Sequence, residues 1–135
     1  ILIDCQPSLG LLTVNALTAS NGVIIPLECE YFALRGVALL NETIEKVRDR
    51  TNFDLVVIGL LGTMFDSRTL HGREVLRTLV DGWGDMVFHT VIRRTVKFSD
   101  STVAGEPITE YAPKSPGAEA YRQLAREVLQ RCPDA

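Results

Sequence analysis

Apolar positions along the chain fall into two alternating rhythms. Residues 1–3, 23–27, 55–61 and 87–92 are short apolar runs. Such runs read as strands covered on both faces, as the strands of parallel sheets are. Between them lie stretches with helical three- and four-residue spacing. The clearest is 33–50, where Ala33, Val37, Leu40, Ile44 and Val47 share one face while Glu42 and Lys46 form an i,i+4 pair on the other. Further helices are expected at 11–20, at 70–80 with a stop near Gly82, and at 118–131, the last burying Tyr121, Leu124, Ala125 and Val128. Asn21-Gly22 punctuates the entry to the second run and Pro26 marks its exit. Residues 93–116 read as mostly irregular, with one helical turn near 98–103. This order predicts an α/β fold: one domain over 1–135, a doubly wound, mostly parallel sheet with flanking helices.

Composition changes this picture little. A chain of 135 residues, 46% apolar and 23% charged, suits one globular domain. A net charge of −3 excludes a surface that is basic all over, but leaves room for a local cationic cluster. Cys5, Cys29 and Cys132 are odd in number and have no CxxC spacing, so they read as reduced thiols rather than zinc ligands. No apolar run approaches the roughly 20 residues of a membrane span, and no signal-peptide pattern is present. The chain opens inside a buried-strand pattern without a methionine, which reads as a portion of a longer domain.

Ligands of open α/β sheets bind outside the carboxyl ends of the strands. Four polar loops are expected on that rim: 4–10, 28–31, 63–69 and 93–97. Asp4 closes the first run, where a carboxylate either holds magnesium, directly or through water, or caps the strand or next helix. Pro7 and Gly10 fix the path of its loop, and Ser8 is the candidate cap of the helix that follows. Arg68, Arg93, Arg94 and Lys97 form a set of long cations suited to phosphates, or else a solvated surface group. His71 and His89 have no Cys or Asp at ligand spacing and read as surface or helix-end residues.

Ile1-Leu2-Ile3-Asp4-Cys5-Gln6-Pro7-Ser8-Leu9-Gly10 resembles the Walker B strand and loop of ParA/Soj-type partitioning ATPases. The likeness continues through 15–19, 25–34, 63–69, 90–97, 105–108 and 113–118 with Tyr121, in order and without large gaps. The resemblance implies a P-loop NTPase fold of the SIMIBI class with a deviant Walker A motif, using ATP and Mg2+. It further implies an ATP-bound homodimer that binds non-specific DNA, a ParB/Spo0J-type centromere-binding partner that stimulates hydrolysis, and a cytoplasmic, nucleoid-associated location away from membranes. By the same resemblance Asp4 is the Walker B metal residue. Asp4, Thr63, Met64, Arg93, Arg94 and Thr95 would then be nucleotide-binding, and Arg68, Arg94 and Lys97 DNA-binding. Gln6 stands where proline is common, Arg93 and Thr95 where many members have Pro and Asn, and Asp100-Ser101-Thr102 where Glu-Ala-Pro is more usual. No GxxxxGK[ST] run occurs, so the expected portion is the one after the P-loop, with no catalytic residue of its own.

Two other readings are set against this one. A MinD-type relative shares the core but ends in a basic amphipathic membrane helix, whereas here Glu119, Glu127 and Asp134 sit among the arginines before and after Pro133. A nucleotide-free α/β interaction module would use the long helix at 33–50 as a partner surface. A dinucleotide oxidoreductase would require a GxGxxG turn, which the chain lacks.

Overall fold

The computed structural model describes residues 1–6 and 8–132, with the backbone alone at 31–34. In chain order it contains α1 (Leu11–Ala19), β1 (Gly22–Glu28), α2 (Tyr31–Arg50), β2 (Val56–Thr63), α3 (Leu70–Trp83), a 3-10 turn (Gly84–Met86), α4 (Val96–Ala104), α5 (Ile108–Tyr111) and α6 (Pro116–Arg131). β1 and β2 pair in parallel, from Gly22 opposite Val56 to Glu28 opposite Thr63. α2 makes the crossover between them, the connection parallel strands require.

Register within this pair decides which face each side chain enters. Val23 lies opposite Val57 but Ile24 lies opposite Gly59, so Ile58 is an extra residue in β2. Such a bulge switches the alternation of the strand. Val57 and Leu60 consequently pack on the face of α1, α2 and α3, with Leu17, Ile25, Leu27, Val37, Ile44, Val47, Val75 and Leu79. Ile58 and Leu61 pack on the opposite face with Phe88, Ile92, Phe98, Leu124 and Val128, supplied by the segment before α4, by α4 and by α6. Helices therefore cover both faces of a parallel sheet, the expected α/β architecture.

Four expectations need correction. Residues 1–3 form no strand: they are exposed and without assigned secondary structure, because a strand exists only through its ladder and no neighbour pairs with them among the described residues. Pro26 does not end β1, which runs on to Glu28. The Cys29 N–H donates to the Thr63 carbonyl, so by two-residue alternation the backbone of Leu27 faces β2 and Pro26 faces the other side, where no strand pairs with β1 among the described residues. There the missing donor costs nothing. Residues 87–92 form no continuous strand either: an isolated bridge joins Val87 to Leu60 of β2, and a second joins Arg93 to Phe65 beyond the end of β2. Finally, 93–116 is more ordered than its composition suggests. α4 is a nine-residue helix capped by Thr95, and it ends at Gly105, whose φ of +69° favours glycine.

The helices carry smaller differences. α3 passes Gly82 and stops at Trp83, before Gly84 at φ +51°. On α2 Val37, Ile44 and Val47 are buried and Leu40 is half-buried, as expected; the side chain of Ala33 lies outside the described residues. The ion pair of α2 among the described residues is Glu45–Arg48 at 2.9 Å rather than Glu42–Lys46, and Arg48 also reaches the Leu55 carbonyl at 2.6 Å. α1 is capped by Gly10 without a side-chain bond, and Ser8 contributes instead its carbonyl, which accepts from the Thr13 hydroxyl at 2.6 Å. Pro7 and Asp134 lie outside the described residues. On α6, Tyr121 and Ala125 are exposed rather than buried, and Tyr121 packs edge-on against Phe98 at 5.8 Å.

Candidate functional site: a cationic rim

The carboxyl ends of β1 and β2 are held together by backbone bonds that extend past the strands. After the Cys29 bond to Thr63, the Phe65 N–H donates to the Ile92 carbonyl at 3.1 Å and the Arg94 N–H to the Phe65 carbonyl at 3.1 Å. This interlock brings Thr63, Met64, Arg93, Arg94 and Thr95 to one edge. Met64 sits there at φ +52°, a left-handed conformation unusual for a residue with a long side chain. Strain of this kind gathers at ligand-contacting positions.

Two cations of the rim, Arg68 and Arg94, face neighbouring carboxylates. Arg68 grips Asp66 in a two-point pair, Nε to Oδ1 at 2.9 Å and Nη2 to Oδ2 at 2.7 Å, and its own N–H donates to Oδ1 at 3.0 Å. The hydrogen-bonded Arg68 guanidinium holds the Asp66 carboxyl well below the usual carboxylate range. Arg94 Nη2 lies 3.9 Å from Glu30 Oε1, tying the loop after β1 to the 93–95 loop. The Thr95 hydroxyl accepts from the Lys97 N–H at 3.4 Å and caps α4. Lys97 is exposed in the first turn of that helix, and among the described residues it makes no ion pair. Arg93 is exposed as well.

Asp4 is not gathered into this arrangement. It lies in the exposed segment 1–6. Among the described residues no three His, Cys, Asp or Glu side chains come close enough to hold a metal ion, at Asp4 or elsewhere. His71 is exposed in the first turn of α3, and His89 is exposed before α4. The three cysteines are unpaired, and burial pushes the Cys29 thiol up. Among the described residues no helix is long and apolar enough to cross a membrane.

One group beneath the rim escaped the sequence reading. Glu127 and Arg131 of α6 point inward and are only 13% and 18% exposed, joined by a 3.1 Å ion pair. Glu127 accepts from the backbone N–H groups of His89 at 2.8 Å and Thr90 at 3.0 Å, and its Oε1 lies 3.2 Å from His89 Nδ1. Burial works to raise the Glu127 pKa, but the amides of His89 and Thr90 outweigh it and hold the carboxyl down at about 2. Arg131 donates to the carbonyls of Ile58, Met86 and Val87 and stacks 4.2 Å above the Phe88 ring. The signal was present in the sequence. Ala120, Leu124, Glu127, Val128 and Arg131 recur at helical spacing on one face.

Comparison with known proteins places this geometry. A family described as an AAA domain matches residues 1–57. An uncharacterised protein of Mycobacterium tuberculosis is 61% identical over 131 residues, 97% of this chain and 41% of that protein. The sporulation initiation inhibitor protein Soj of Bacillus subtilis is 49% identical over 128 residues, 95% of this chain and 51% of Soj. The chain is of the ParA/Soj type. It spans about half the length of the relatives it matches. Among solved structures, one titled cobyrinic acid a,c-diamide synthase from Mycobacterium smegmatis, with bound ADP and magnesium, superposes at a TM-score of 0.75. That match is 41% identical and covers 97% of this chain and 46% of the synthase. The ParA/Soj assignment accounts for parallel strands whose carboxyl ends carry the polar loops.

Proposed function

We propose that this chain is the part of a ParA-type ATPase domain that follows the P-loop, and that the whole protein works in DNA partitioning. The observation that supports this reading most directly is the rim itself. Arg68 and Arg94 stand on loops at the carboxyl ends of the sheet, and Lys97 opens α4. A lysine in a first helical turn opposes the helix dipole, at a cost of roughly 0.3–1 kcal/mol. A cation kept where it weakens its own helix is suited to meeting an anion from outside.

In this reading the three cations contact DNA phosphates, while Thr63, Met64, Arg93, Arg94 and Thr95 border the adenine of ATP. Asp4, a single exposed carboxylate, fits the hard-cation chemistry of Mg2+ and would hold it together with groups from the rest of the protein. Bound Mg2+ would neutralise charge on the phosphates. Support comes from the M. smegmatis structures, titled with ADP or an ATP analog and magnesium. The working form is an ATP-bound homodimer on non-specific DNA, in the cytoplasm and on the nucleoid, with hydrolysis stimulated by a ParB/Spo0J-type partner.

The test is salt dependence. Three phosphate contacts per subunit give about six per dimer, so log affinity for DNA should fall against log salt with a slope of roughly −5. Replacing Arg68, Arg94 and Lys97 by alanine in the full-length protein should flatten that slope. An unchanged slope removes these residues from the DNA face. A second reading, action on cobyrinic acid, follows from the synthase structures. Turnover of ATP by the full-length protein, stimulated by cobyrinic acid and indifferent to DNA, would favour it.

A further inference from the structure

Phe88 and Ile92 each donate a backbone N–H to β2, Phe88 to the Leu60 carbonyl at 2.8 Å and Ile92 to the Gly62 carbonyl at 2.9 Å. Between these bonds β2 advances by one intervening residue, Leu61, whereas the facing segment carries three: His89, Thr90 and Val91. A parallel neighbour in register would carry one. The surplus forms an arch away from β2, and the arch strips the His89 and Thr90 amides of strand partners. Thr90 is buried, where an unpaired amide is costly, while His89 is exposed. Both amides are taken by the two oxygens of Glu127, one amide each. Arg131 neutralises that carboxylate, and its bonds to Ile58, Met86 and Val87 fix α6 against the strand ends.

Where the arch lands decides where the rim loop lies, because Arg93 and Arg94 follow Ile92 directly and the Phe65 interlock reads the same register. From this we infer that Glu127 is a positioning residue for the 93–95 loop, acting through the backbone of the arch and touching no ligand itself. The effect on nucleotide rests on the proposed reading that this loop borders ATP; the effect on the loop does not.

The experiment uses the full-length protein, with ATP–Mg2+ affinity measured by calorimetry and loop order by amide hydrogen exchange over 89–95. In Glu127→Gln one oxygen becomes an NH2 donor, so only one arch amide keeps an acceptor. The expected result is about tenfold weaker ATP binding, the equivalent of roughly 1.4 kcal/mol, together with faster exchange at 93–95. Leu124→Ala is the control: it opens a cavity beneath the same helix, leaves the carboxylate bonds intact, and should change affinity less than about twofold at a comparable loss of thermal stability. Arg131→Lys, which keeps the charge but cannot span three carbonyls, should shift both readouts in the same direction as Glu127→Gln and serves if that variant does not fold.

Arg94→Ala and Thr95→Ala separate the two ideas. If they weaken ATP binding while Glu127→Gln behaves like Leu124→Ala, the positioning role is overturned and the nucleotide reading stands. If they leave ATP binding unchanged, the border reading fails and exchange alone decides. Faster exchange at 93–95 in Glu127→Gln than in Leu124→Ala then supports positioning, and equal exchange overturns it.

Discussion

Replacing Gly59 with alanine is the sharpest test of how α6 is seated on the sheet. A methyl group at Gly59 would lie 2.6 Å from Arg131 Nη1, 2.8 Å from the Met86 carbonyl oxygen and 2.8 Å from Phe88 Cε2. Carbon does not approach heavy atoms that closely, so something must move. Met86 offers backbone, and the Phe88 ring is fully buried. The guanidinium can swing away, but only by giving up its bonds to Ile58 at 3.0 Å and Met86 at 3.2 Å. Overpacking of this kind costs about 1–3 kcal/mol, and each lost bond to a charged group adds on the order of 1 kcal/mol or more.

The expected net loss is therefore about 3 kcal/mol, read as a fall in the urea midpoint of about 1.5 M for a slope near 2 kcal/mol/M. Gly36→Ala is the opposite case. Nothing lies within 4 Å of its Cβ position on the exposed side of α2, so the usual helical preference for alanine should raise stability by roughly 0.5–1 kcal/mol. A double-mutant cycle sharpens the argument: in an Arg131→Ala background the cost of Gly59→Ala should shrink by more than about 1 kcal/mol. A Gly59→Ala loss below about 0.5 kcal/mol, or no coupling to Arg131, would refute the packing described for this corner.

Glu127 also sets an acid limit. Its folded-state pKa of about 2 lies below the ordinary 4.5, so its contribution is complete above pH 4.5 and is lost as pH falls from there towards 2. Allowing for solvent screening, that contribution is on the order of 2 kcal/mol. The stability gap between wild type and Glu127→Gln in urea titrations should narrow over this window, and a constant gap would contradict the assignment. Because the chain has no GxxxxGK[ST] run, calorimetric titration of this chain alone with ATP and Mg2+ should give no micromolar binding; such binding would show that the rim suffices without a phosphate loop.

What the sequence made legible was the part of the fold set by local periodicity. Val37, Leu40, Ile44 and Val47 could be placed on one buried face of α2 because each is apolar and spacing alone fixes the face. The rim loops were legible for a similar reason, since polar residues after apolar strands fall at one end of a parallel sheet. Residues 1–3 and Pro26 were misread because strand extent depends on which edge has a neighbour, a property of pairing rather than of the segment. The bulge at Ile58 and the arch at 89–91 were invisible on the same ground: register belongs to two segments at once. Inward charges defeated the reading of α6, because amphipathicity assigns Glu and Arg to solvent. Glu127 and Arg131 turn inward because an arch with unpaired amides and strand ends with spare carbonyls lie beneath them.

The pairing of the rim cations bears on the proposed DNA role in a way their count does not. Arg68 and Arg94 each face a carboxylate, which reduces the field they project and accords with a chain whose net charge is negative. Yet exposed pairs of this kind contribute only about 0–1 kcal/mol, and the Arg94–Glu30 contact at 3.9 Å is at the long end of ion-pair range. Exchanging Asp66 or Glu30 for a phosphate would therefore cost little, whereas the poses of both arginines are already limited by their loops. Asp66 grips Arg68 at two points and through its backbone, so much of the entropy of ordering that side chain is spent before any polyanion arrives. An Asp66→Ala substitution should thus free the Arg68 charge but loosen its geometry. If DNA affinity at low salt rises, the carboxylate acts as a competitor; if it falls, as the two-point grip suggests, the carboxylate acts as a brace.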